Sequence, residues 1–124
     1  MSNRLVWCRQ GWLPVPYCFC PSESAWRKEM KRLNASEPYP SSDARTVSLE
    51  NKGKLRIYVT VAPHIDGMDP LGIVGLLVHE SVHVWQFTCD HVGDTYPSKE
   101  TEAYAIQLIS SELIAAYSKT RMAP

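Results

Sequence analysis

The chain has 124 residues and a mass of 14.0 kDa, the size of one compact domain and too short for two full ones. Its 13 Lys+Arg balance 13 Asp+Glu, with an isoelectric point near 6.9, so neither a basic nucleic-acid-binding face nor a polybasic membrane anchor is expected. A hydrophobic share of 44% with four Trp and six Tyr belongs to a folded chain rather than a disordered one.

Residues 1–21 mix Trp, Pro and Cys and read as an irregular or extended segment laid on the core, because each proline pushes its predecessor towards extended geometry. Arg4 and Arg9 flank no apolar stretch longer than Leu5-Val6-Trp7-Cys8. No signal-peptide core and no membrane span are therefore expected, and the assigned location is cytoplasmic. Cys8, Cys18, Cys20 and Cys89 are expected as free thiols, some of them buried. In an exported chain Cys8 could pair with Cys18 or Cys20. Their spacing matches no zinc ribbon.

Residues 22–34 read as a helix, with Ala25, Trp26, Met30 and Leu33 on one stripe and Arg27, Lys28, Lys31 and Arg32 on a solvated face. A Pro- and Ser-rich loop follows at 37–43. Residues 46–62 form a hairpin, with strands at 46–50 and 55–62. Leu55, Ile57, Val59 and Val61 alternate with Arg56, Tyr58 and Thr60, and Asn51-Lys52-Gly53-Lys54 supplies the turn. Two strands alone are marginal in water, so they must lie on helices or recruit a third strand from the N-terminal segment.

Asp69 and Pro70 open a helix over 69–88, as N-cap and first helical residue. A loop over 89–97 holds Asp90, His91 and Asp94. The last helix, 98–119, buries Ile106, Ile109, Leu113 and Ala116. The expected fold is α+β: a small hairpin or sheet packed on the 69–88 helix and on the C-terminal helix.

The chemistry sits mid-helix. His79-Glu80-Ser81-Val82-His83 is an HExxH motif. Residues four apart share one helix face about 6 Å apart along the axis, so two imidazoles can converge on one metal ion at the ~2.0–2.1 Å of a zinc–nitrogen bond. Glu80 leaves the helix about 100° further round, placed to take a proton from a metal-bound water acidified towards pKa ~7. Two histidines do not complete a catalytic zinc site, which usually has three protein ligands. Glu102 lies 19 residues after His83, giving HExxH-x18-E, and antiparallel helices would turn it towards the pair. Glu100, two positions away, points elsewhere on a helix and is the competing choice. His91 and Asp94 of the loop are others. A metzincin pattern would need Gly at 86 and His at 89, where Gln86 and Cys89 stand.

With His79, Glu80, His83 and Glu102 so spaced, the stretch from Leu55 to Tyr117 resembles the gluzincin branch of the zincin metallopeptidases. The x18 gap is similar to that of their aminopeptidase group. It also resembles, less specifically, small HExxH proteins of phages and bacteria. The resemblance implies a minimal zincin-like fold, a Zn2+ ion held by His79, His83 and Glu102, and Glu80 as general base. It implies a peptide or protein substrate held by the edge strand of the small sheet. Gluzincins commonly carry an acidic residue four positions after the ligand glutamate to orient a histidine; here Ile106 stands there. The helical domain that walls the cleft of larger members has no room in this chain.

The expected function is zinc-dependent peptide hydrolysis. A zinc-binding regulatory module without activity and a zinc amidase or deacetylase are the rivals. Gly72 and Gly75, each costing ~1 kcal/mol relative to Ala inside a helix, fit close packing against the hairpin or substrate access equally. Tyr104, Tyr96, His91 and His64 are candidates to steady an oxyanion.

Overall fold

The computed structural model describes residues 2–122. Its centre is a strand that the periodicity does not announce. Tyr17–Cys20 forms β2, with all four residues buried. β2 lies between β1 (Val6–Trp7) and β4 (Lys54–Val61) in a four-stranded sheet of order β1-β2-β4-β3. It runs antiparallel to β1 and parallel to β4, pairing Phe19 with Val6 and with Val59. The expectation of an irregular 1–21 segment is therefore corrected for these two strands. A strand covered on both faces shows no apolar–polar alternation, and Pro14 and Pro16 mask its start.

The hairpin is present and longer than expected: β3 covers Ala44–Asn51 and pairs antiparallel with β4 from Ala44↔Val61 to Asn51↔Lys54. Lys52 (φ 54°) and Gly53 (φ 78°) make its two-residue turn, the left-handed pair that matches strand twist. β3 ends the sheet, so among the described residues its outer edge pairs with no strand.

The faces of the sheet are divided by side-chain parity. Cys18, Cys20 and Tyr58 point to α1 (Glu23–Leu33), where they meet Trp26, Met30 and Leu33. Tyr17, Phe19, Ile57 and Val59 point to the other face, against α2 (Pro70–Val92) and α3 (Lys99–Tyr117). The molecule is thus α+β: one helix, a mixed sheet, then two helices.

The helix ends follow local chemistry. Ser22 caps α1 by accepting from the Ala25 amide at 3.2 Å, and Asn34 closes it at φ 54°. Ser98 caps α3 by accepting from Thr101 at 3.1 Å. Asp69 stands at the N-cap of α2 but makes no side-chain capping bond, so Pro70 alone carries the start. At its other end α2 outruns the expected 88. Cys89 is buried, and the helix stops only where Gly93 takes φ 75°. A short 3-10 turn, Pro63–Gly67, joins β4 to α2.

A single arginine secures that turn. Arg121, beyond α3, has a fully buried side chain and donates to the Val61, Ala62 and Pro21 carbonyls and to Asp66. Tyr117 also donates to Asp66. All four cysteines are free thiols. Among the described residues, no helix is long and apolar enough to cross a membrane.

Candidate active site

α2 presents three different sides. Ile73, Leu77, Ser81 and Val84 enter the core. Glu80 faces β3. His79 is exposed and His83 half-buried on the open side. Leu77, Ser81 and Val84 therefore serve the core, while the two imidazoles stand towards the surface.

The histidines are brought together: their ring centroids are 4.9 Å apart at an interplanar angle of 78°. His83 Nδ1 lies 2.9 Å from Gln86 Oε1. A carboxamide oxygen accepts, so this contact matches the tautomer with its proton on Nδ1, in which Nε2 keeps its lone pair.

Glu80 is only 4% exposed. Its Oε1 accepts from the Thr46 hydroxyl at 2.8 Å, and the same hydroxyl lies 3.2 Å from the Glu80 carbonyl oxygen. A buried carboxylate without a partner is costly, and this hydroxyl from β3 meets that requirement at one oxygen. Oε2 has no hydrogen-bond partner among the described residues. Thr46 was missed as a site residue because it reads simply as a β-branched strand former.

Glu102 is placed differently from the expectation. Its Oε2 accepts from the Trp85 indole Nε1 at 2.9 Å. Trp85 leaves α2 about 200° round from His83, on the flank towards Trp12, whose ring it meets edge-on at 6.1 Å. Glu102, with Asp94 and Asp90, adds to the effect of burial in pushing the Cys89 thiol up. The three-donor group of His79, His83 and Glu102 is not assembled. Among the described residues no three His, Cys, Asp or Glu side chains are grouped to hold a metal.

The alternatives fare no better as ligands. Glu100, His91 and Asp94 are exposed and join no such group. Of the oxyanion candidates, Tyr96 and Tyr104 are 92% and 59% exposed and line neither cavity at the histidines. His64 is held 2.9 Å from Asp43, and Asp43 does reach the site.

Two connected hollows flank the motif, of about 510 and 330 Å³, sharing Ser42, Ala44, His79 and Glu80. Together they form a trough between the free edge of β3 and the exposed side of α2. Ile65, Met68 and Leu76 line one end; His83 and Phe87 line the other. Gly72 and Gly75 lie along it. A Cβ added at Gly75 would meet nothing within 4 Å, and one at Gly72 only Met68 Cε at 3.9 Å. Close packing against the hairpin is thereby removed as their explanation. A larger hollow of about 650 Å³ lies away from the motif, between Trp12 and the outer face of α3.

Comparison of the chain with protein-family models, with curated proteins and with solved structures finds no match.

Proposed function

We propose that the chain is a minimal zincin-like metallopeptidase, hydrolysing peptide bonds with His79 and His83 on a zinc ion and Glu80 as general base. The observation that carries this reading is the convergence of the two imidazoles beside a buried carboxylate that keeps one oxygen free, in an open trough. The donors fit zinc in kind, being imidazole nitrogens with carboxylate oxygen. Glu102 would be the third by its place in the sequence, although in this structure Trp85 holds its Oε2 on the other flank of α2 and it is not grouped with the two histidines. When bound, the ion supplies Lewis acidity and lowers the pKa of its water.

The chain's own residues have separable parts. Thr46 fixes the Glu80 carboxylate through Oε1, leaving Oε2 to accept the proton of an attacking water and later return it to the leaving amine. Gln86 sets the His83 tautomer, a role that orients the ligating nitrogen. The free edge of β3 offers backbone donors and acceptors to an extended chain lying in the trough.

Anchoring of Glu102 on Trp85 favours one second reading, a module that holds metal weakly or not at all and cleaves nothing. The test is elemental analysis of the purified protein alongside turnover of an unfolded protein substrate, for wild type and Glu80→Gln. About one zinc per chain in both, with turnover lost in the variant, is the expected result. Absence of metal after zinc is supplied overturns the enzyme reading. An amidase or deacetylase separates by cleaving non-peptide amides instead.

A further inference from the structure

The trough follows α2 for two turns before His79, to Gly72, and one turn beyond His83, to Phe87. From Gly72 to Phe87 it follows 16 residues of α2, about 22 Å of helix at a rise of 1.5 Å between neighbours. An extended chain of six or seven residues spans about that length. Both ends lie at the surface: Met68 is 45% exposed at one and Phe87 is half-buried at the other.

Its charges are few and mostly engaged. Asp43 is paired with His64 and Glu80 with Thr46. Asp43 and Glu80 are the carboxylates that line it among the described residues, and no further acid joins them to form a cluster for a terminal ammonium. Arg45 is the one cation that lines the trough among the described residues.

The two glycines add an independent sign. Each weakens the helix relative to alanine, yet neither has a packing neighbour that forbids a Cβ. They keep the helix surface low where Ile65, Met68 and Leu76 make apolar walls. Into the same hollow opens Glu80, 4% exposed, with its Oε2 unpartnered.

We propose that this trough takes an internal stretch of an extended peptide and seats a bulky apolar side chain over Gly72 and Gly75. This makes the chain an endopeptidase rather than a trimmer of chain ends, and it rests on reading His79, Glu80 and His83 as the reaction centre.

The test separates binding from cleavage. Isotope-labelled Glu80→Gln protein is titrated with two pentapeptides blocked at both ends, one all alanine and one with a central phenylalanine. The Gly72 and Gly75 amide resonances are expected to move, with the phenylalanine peptide bound at least 10-fold more tightly. Adding Gly75→Leu should remove that preference while the fold persists, because leucine is the better helix former. Unmoved glycine resonances, or a preference unchanged by Gly75→Leu, overturn the proposal. So does binding only of peptides with a free C-terminal carboxylate, abolished by Arg45→Ala. Failure of the underlying reading looks different: the blocked peptide binds over the glycines, yet zinc-supplied wild type leaves it intact.

Discussion

The Thr46 hydroxyl lies 2.8 Å from Glu80 Oε1 and 3.2 Å from the Glu80 backbone oxygen, tying the edge strand to the middle of α2. One proton is shared between two acceptors of the same residue. The contact gives the buried carboxylate a partner at one oxygen and joins the two walls of the trough.

Thr46→Val keeps the shape and removes the donor. Leaving a buried polar group unsatisfied costs about 1–3 kcal/mol, so denaturant unfolding should show a loss in that range. Turnover should fall as well, because Glu80 loses its fixed orientation. Thr46→Ser should restore most of both. Wild-type stability in Thr46→Val would remove Thr46 from the account.

Alkali should unfold the protein through its buried acids. Burial pushes the Cys20 thiol up to about 12 from its ordinary 9.0. Burial and then the hydrogen bond to Asp66 push Tyr117 up to about 12 from 10.0. Each group is held protonated in the fold and ionises earlier in the unfolded chain. Their contribution is whole below pH 9, drains as pH rises, and is gone above about 12. Tyr117→Phe should flatten the upper part of this loss in a chemical-denaturation series. An equal slope from pH 10 to 12 in the variant would discount Tyr117.

Glu29 works at the acid end. Burial alone would raise its carboxyl, but hydrogen bonds from Arg32 and Tyr58 outweigh that and leave it lowered. A depressed carboxylate stabilises above its unfolded value and loses that contribution as pH falls through the folded one. Tyr58→Phe should therefore lessen the acid dependence of stability, measured between pH 6 and 3.

Much of this architecture was legible in the residues. The stripe of Ala25, Trp26, Met30 and Leu33 belongs to a helix covered on one side, and the alternation from Leu55 to Val61 survives because Arg56 and Thr60 interrupt a strand whose second half is buried on both faces. The exception was Tyr17–Cys20, whose burial on both faces erases the signal. Tyr58 reads as outward by alternation, yet α1 covers it. At the site, HExxH spacing alone indicated the meeting of His79 and His83 and the position of Glu80. The partners of the carboxylates were illegible. Thr46 lies 34 residues from Glu80, and Trp85 reaches Glu102 only through the packing of α3 on α2.

Arg121 tests how far the approach to α2 depends on the end of the chain. Its buried guanidinium serves three carbonyls and Asp66. Arg121→Met should cost roughly 2–4 kcal/mol, between the values for an unsatisfied polar group and a broken buried ion pair. The Pro63–Gly67 turn should then lose hydrogen-exchange protection before the central strands do. Uniform loss across the molecule would mean that the arginine holds the whole fold and not this wall of the trough.

The hydrogen bond from Trp85 to Glu102 decides between two roles for the carboxylate. If Glu102 binds zinc through Oε1 while Trp85 holds Oε2, the indole orients the carboxylate from behind. Trp85→Phe should then weaken zinc by about 10–100-fold, the usual effect of losing a partner behind a metal ligand. Glu102→Ala should weaken it further. Trp12→Phe, which leaves that hydrogen bond intact, should leave affinity near wild type. If Glu102 only caps the indole, Trp85→Phe costs about 0.5–1.5 kcal/mol of stability and zinc affinity stays put. Chelator competition on the three variants distinguishes the cases, and it requires no knowledge of the substrate.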